Sequence, residues 1–216
     1  MAVSKMILTG RDLEVLNLVY RFRFALSRHI KELLDFSSAR TADRRLKLLV
    51  EAGYLERRKY LYGIAYIYTL AHKGRMLLGV NKRAEKIRVE RILHDCLVLD
   101  TVVWYKKRGV ALSDILTEKE LHSKDGFGTR RHFPDLVIMQ GEKKIAVEVE
   151  LTLKARERIE SNCKDNCLVY DSQVWYLNKS ARKLQEILEN LQRAYFNVEI
   201  KCIEDLKDVS EEKNHG

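Results

Sequence analysis

The apolar residues of this chain change period within its first 70 positions, and that change limits the fold more than any other feature. From Thr9 to Val50 they recur at helical spacing in three short segments. Thr9 is a good N-cap, with Asp12 at the capping-box position. Leu13, Leu16, Val19 and Tyr20 then form one stripe. Ser27 caps the second segment, which carries Ile30, Leu33 and Leu34. The third starts at Ser37 or Ser38, buries Ala42, Leu46, Leu49 and Val50, and ends at Gly53. The period then drops to two. Tyr54 to Lys59 reads as a strand, residues 65–70 as a second, and Tyr60 to Gly63 as the turn between them.

Charge follows the same division. Residues 1–84 hold 17 Lys/Arg against 7 Asp/Glu, whereas residues 85–216 hold 23 against 24. The +9 net charge therefore arises in the first block, which points to an anionic partner for that block, double-stranded DNA by default. On the third helix Arg40, Arg44 and Lys47 recur opposite the apolar face, flanked by Ser38, Thr41 and Arg45. Arginine there suits guanine edges in the major groove, and lysine and threonine suit phosphates. Arg57, Arg58 and Lys59 sit near the hairpin tip, where they would meet the backbone. Tyr60 and Tyr62 either pack on sugars or sit half-buried in the strands. Asp43 is the discordant acid on the helix, placed to orient a neighbouring arginine.

Helix, helix, basic helix, EAGYLERR, hairpin and YTLAHKG together resemble the winged helix-turn-helix superfamily over about residues 7–80. One departure is Ala71, where many relatives carry a threonine cap for the next helix.

The second block carries different chemistry. Residues 85–108 read as one long helix, and the single proline, Pro134, leaves no Pro-rich linker. The loop HSKDGFGTRRH leads into strands at 135–139 and 145–151, with a turn at Gly141. On the second strand Ala146, Glu148 and Glu150 share a face, the glutamates roughly 7 Å apart. Carboxylates in an apolar strand imply either a solvent-facing side or a metal site. In the second case Asp135, Glu148 and Glu150 would hold Mg²⁺ or Mn²⁺, which could activate water and stabilise a pentavalent phosphate. Cys163 and Cys167 lie one helical turn apart with no second pair at zinc spacing, so the four cysteines read as reduced, mostly buried thiols.

Pro-Asp, twelve residues, Glu-x-Glu, then a helix and the strand 174–177, resemble the PD-(D/E)xK nuclease superfamily. The resemblance implies helix 85–108, a first strand near 111–120, strands 135–139 and 145–151, helix 153–170, strand 174–177, helix 181–193 and strand 196–203. It implies Asp135, Glu148 and Glu150 as catalytic and metal residues. Glu150 stands where that superfamily usually has lysine; Lys154, Arg156 or Arg158 would supply a displaced cation. The whole arrangement is similar to the replication-relaxation family of plasmids and other mobile elements. The carriers are ILHDCLVLD at 92–100, PDLVI at 134–138, VEVELTLK at 147–154 and LVYDSQVWYL at 168–177. His94 and Asp95 match its pattern; helix packing and a structural hydrogen bond account for them.

The expected fold is α+β: a winged helix-turn-helix domain (1–80), joined by a long helix to a restriction-endonuclease-like domain with a mixed sheet (81–208), then a polar tail (209–216). The resemblance implies a DNA-binding accessory protein in replication or DNA relaxation and transfer, its nuclease-like domain degenerate. An Mg²⁺-dependent nuclease is the second reading and a transcriptional repressor the third. A replication or transfer enzyme and a second copy of the chain are the further partners expected. No apolar run reaches membrane-span length, and MAVSKMILTG lacks a signal-peptide h-region, so a cytoplasmic protein is expected.

Overall fold

Helix α1 (Gly10–Arg21) begins where its cap predicts, with the Thr9 amide donating to Asp12 Oδ2 at 2.6 Å. The structure is a computed structural model that describes residues 7–80, 86–125, 132–152, 155–179, 181–195 and 197–206. It divides into two compact units, Met1–Leu99 and Asp100–Gly216, and its helices and two separate sheets make an α+β fold.

In the first unit the buried face of α1 is Asp12, Val15, Leu16, Leu18 and Val19. Leu13, expected inside, is 40% exposed. Leu16 and Val19 stay on that face as expected, while Asp12, paired with Arg45, is buried where Leu13 was expected. A two-residue strand β1 (Ala25–Leu26) precedes α2 (Ser27–Leu33). Ser27 is the first residue of α2 rather than its cap; Leu26 holds the cap position. Helix α3 (Ala39–Glu51) is capped by Ser38, whose Oγ accepts from the Thr41 amide at 3.1 Å. Ala42, Leu46 and Leu49 are buried on it, as their spacing predicts. Gly53 ends it at φ 77°, a left-handed conformation that glycine adopts without a Cβ penalty.

Strands β2 (Leu55–Arg58) and β3 (Ile67–Leu70) pair antiparallel, Leu55 opposite Leu70 and Arg58 opposite Ile67. Both are shorter than expected, so the connecting loop runs from 59 to 66. The far edge of β3 is paired by β1, giving the order β1-β3-β2. Helix α4 (His72–Leu77) follows, and Ala71 at its cap offers no side-chain acceptor. Gly74 is required there, since a Cβ would lie 2.3 Å from the Tyr54 carbonyl oxygen.

Helix α5 (Ile92–Lys107) starts later than the expected residue 85. A 3-10 turn at Val89–Arg91 precedes it, Arg88 is extended, and residues 81–85 lie outside the described ones. The division between the units falls within α5.

The second unit is built on a five-stranded sheet in sequence order: β4 (Ile115–Thr117), β5 (Leu136–Gln140), β6 (Lys143–Glu150), β7 (Ser172–Leu177) and β8 (Val198–Cys202). The first three form an antiparallel meander; β6, β7 and β8 run parallel. Parallel neighbours need crossovers, supplied by α7 (Arg156–Val169) and α8 (Arg182–Ala194). Ile159, Cys163, Trp175, Leu177, Leu184, Leu188 and Val198 make one core under these helices. The strands and helices of this unit lie within a few residues of their expected positions, apart from the late start of α5 and from α6 (Glu118–Asp125), which the sequence did not lead us to expect. In the first unit β1 was likewise unexpected. The loop at 126–131, Lys154 and the tail at 209–216 lie outside the described residues. No helix among the described residues is long and apolar enough to cross a membrane.

Candidate functional site

Two groups of polar side chains were expected to carry chemistry, and the structure treats them differently. On α3, Arg40, Thr41, Arg44 and Lys47 are exposed and Ser38 is half-exposed. The Thr41 hydroxyl lies 2.9 Å from Ser38 Oγ, which fixes the first turn. Lys47 approaches Glu51 at 3.8 Å, an exposed pair that contributes little. The basic stripe is thus free to meet a ligand while the opposite face fills the core.

Arg45 is engaged elsewhere. Its Nε donates to Asp12 Oδ1 at 2.5 Å, its Nη2 reaches Asp12 Oδ2, and Nη2 also donates to the Ile7 carbonyl at 3.2 Å. The Asp12 side chain is 0% exposed and that of Arg45 26%. Burial alone would raise the Asp12 carboxyl. The hydrogen bonds from Arg45 and Thr9 outweigh it and hold the group below its ordinary value. Arg45 therefore ties α3 to α1, and we leave it out of the interface. Asp43 accepts the Ser27 hydroxyl, joining α3 to α2 rather than orienting an arginine.

On the hairpin, Arg57, Arg58 and Lys59 are all exposed. Arg58 pairs with Glu56 at 2.7 Å on the same strand face. The Arg57 guanidinium lies 3.7 Å from the centre of the Tyr66 ring, and the Lys59 ammonium 5.9 Å from that of Tyr62. Tyr60 is half-buried, but Tyr62 is fully exposed.

The acid group lies in the second unit, on a strand buried from Ala146 to Glu150. A solvent-facing side therefore does not explain Glu148 and Glu150. Glu148 Oε1 lies 2.5 Å from His132 Nε2 and accepts from Asn166 Nδ2 of α7 at 2.9 Å. Burial pushes its carboxyl up; His132 opposes this, and the charge of Asp135 adds to it. Asp135, just before β5, accepts the Val149 amide on Oδ2 at 2.9 Å. Glu150 Oε1 is 3.4 Å from the Thr152 amide and 3.5 Å from its hydroxyl.

His132 and Asn166 were missed. Nothing in their spacing marks them, because they reach Glu148 from a loop end and from a helix 18 residues away. Lys154 lies outside the described residues. Among the described residues no three His, Cys, Asp or Glu side chains form a group that could hold a metal ion. Glu148 turns Oε1 to His132 and Asn166, Asp135 turns Oδ2 to a strand amide, and Glu150 lies near Thr152. All four cysteines are free, and burial pushes the Cys163 thiol up to about 12. His94 Nδ1 and Asp95 Oδ1 are 3.0 Å apart, a local hydrogen bond within α5.

The family model described as replication-relaxation matches residues 16–174, from within α1 to within β7. No curated protein and no solved structure matches the chain.

Proposed function

The chain belongs to the replication-relaxation family, and we propose that it binds double-stranded DNA through its first unit in the replication or relaxation of a plasmid or other mobile element. The observation that carries this reading is α3: one face buries Ala42, Leu46 and Leu49, and the other exposes Arg40, Thr41, Arg44 and Lys47. A helix so divided can enter a major groove with its arginines toward base edges. The order α1, α2, α3, then a hairpin with Arg57, Arg58 and Lys59, supports a winged-helix reading, in which the hairpin cations would hold the phosphate backbone.

The order α5, β4, β5, β6, α7, β7 supports reading the second unit as a PD-(D/E)xK-like scaffold that serves a replication or transfer enzyme or a second copy of the chain. We give its carboxylates no catalytic step.

Fluorescence anisotropy of the full chain with a duplex selected from a random pool tests the reading. Wild-type binding should weaken with salt, with a slope no steeper than about −5 if all six exposed cations meet phosphate. Arg44→Ala should lose about 1–3 kcal/mol on the selected site. Binding that ignores salt, or a recognition footprint unchanged by Arg44→Ala, would sink it.

A further inference from the structure

The hairpin tip holds one large side chain that the fold does not use. Tyr62 is 100% exposed, although tyrosine is commonly packed by its ring and wetted only at its hydroxyl. Its neighbour Tyr60 is half-buried. Gly63 follows at φ 80°, a left-handed turn residue that points the chain back toward β3. The Lys59 ammonium stands 5.9 Å from the Tyr62 ring centre, and the Arg57 guanidinium 3.7 Å from that of Tyr66. Tyr66 is itself 43% exposed. The tip thus carries two aromatic rings, each attended by a cation.

We infer that Tyr62 is a DNA-contacting residue in its own right, its ring packed on the deoxyribose face of the backbone while Lys59 meets the adjoining phosphate. This rests on the DNA-binding reading and deepens it. Three features on the page favour a duplex as the occupant. The tip is flanked by Arg57, Arg58 and Lys59, so the surface complements a polyanion. A ring held beside a cation offers the apolar and charged surfaces that sugar and phosphate present side by side. And β2, which leads into the tip, follows α3 directly through the turn at Gly53, so the tip belongs to the same small unit as the basic helix. Such a contact would be tolerant of sequence, because every nucleotide presents the same sugar. It would add affinity without adding counterion release.

The two kinds of contact separate by salt. Anisotropy with the full chain and the selected duplex, over a salt series, should show Tyr62→Ala binding about fivefold more weakly than wild type, the loss of a modest buried ring area, with an unchanged salt slope. Tyr62→Phe, which keeps the ring, should bind within about twofold of wild type. Lys59→Ala should reduce the slope by about one. Hydroxyl-radical footprinting should show sugar protection lost beside the recognition site in Tyr62→Ala, with protection at the site itself retained. Thermal melts should coincide, since the ring packs on nothing; a lowered melt in Tyr62→Ala would overturn the inference by making the ring structural. Wild-type affinity and footprint in Tyr62→Ala would also overturn it while leaving DNA binding standing. Failure of the wild-type chain to bind any duplex would remove both.

Discussion

Replacing Arg45 with alanine should unfold the first unit more readily and leave base recognition to its neighbours. Asp12 is 0% exposed and accepts two guanidinium bonds from Arg45, besides the Thr9 amide at 2.6 Å and the Thr9 hydroxyl at 2.8 Å. Removing one partner of a buried ion pair costs about 3–5 kcal/mol, because the other charge stays buried. Arg45 is 26% exposed, which favours the lower end, about 3 kcal/mol. For a unit of this size that is a fall in Tm of about 12–24 °C. The Asp12 carboxyl is held below its ordinary value of 3.8, so the pair contributes fully above that pH. Its contribution is lost as pH falls through the folded value. The gap between wild type and Arg45→Ala should therefore be full at pH 7 and shrink as pH falls below about 4 and through the folded value. Joint replacement of Asp12 and Arg45 by leucine should recover most of the loss, since neither charge then remains buried. Calorimetry of the full chain across pH reads the stability, and anisotropy reads the DNA. An Arg45→Ala protein that melts like wild type and has lost DNA binding would refute the assignment.

Two further outcomes follow for the second unit. Burial raises the Glu148 carboxyl, among His132, Asp135 and Asn166, so its stabilising contribution is full below the ordinary value of 4.5 and lost as pH rises through the raised one. Glu148→Gln keeps a hydrogen-bonding group there, and its Tm relative to wild type should climb between pH 4 and pH 8; parallel curves would contradict this. Thermal shift with Mg²⁺ or Mn²⁺ should show no saturable stabilisation at Asp135 and Glu148. A saturable shift that Asp135→Asn abolishes would restore the metal-site reading.

What the sequence disclosed and what it concealed divide along physical lines. Segments with a clear burial pattern were legible: α3 from its one buried face at Ala42, Leu46 and Leu49, and β6 and β7, buried on both faces, from their apolar runs. Strand β1 was not, because two residues cannot show a period and Ala25–Leu26 is a strand only through its pairing with β3. Helix α6 was overlooked although its signal was present: Thr117 and Glu120 form a capping box, with the Glu120 carboxylate accepting the Thr117 amide at 2.8 Å. Arg45 looked equivalent to Arg44 because a helix places both near one face. Only the buried acid 33 positions earlier separates their roles. Tyr62 was ambiguous beside Tyr60 because alternation does not say where a hairpin stops being a sheet.

The two polar groups differ in where their donors and acceptors point, and that difference decides which unit is assigned an activity. A carboxylate inside a sheet is costly unless hydrogen bonds stabilise it. Glu148 receives Asn166 and faces His132 on the same oxygen, Oε1. Asp135 closes the strand end by taking the Val149 amide. These contacts satisfy the acids from within the unit and join the loop before β5, strand β6 and helix α7. Polar groups so connected specify a packing, although Asn166 Oδ1 beside them stays buried with no hydrogen-bond partner among the described residues. The α3 face and the hairpin have the opposite character. Arg40, Arg44, Lys47, Arg57 and Lys59 are exposed donors; Lys47 has an exposed pairing with Glu51, Arg57 and Lys59 have ring contacts, and such a cluster suits an anion. A fold stabilised by its own contacts would gain nothing from gathering these cations on one short helix and one loop, whereas a duplex supplies phosphates to match them. The same criterion excludes Arg45, a cation of the same helix that already has its anion.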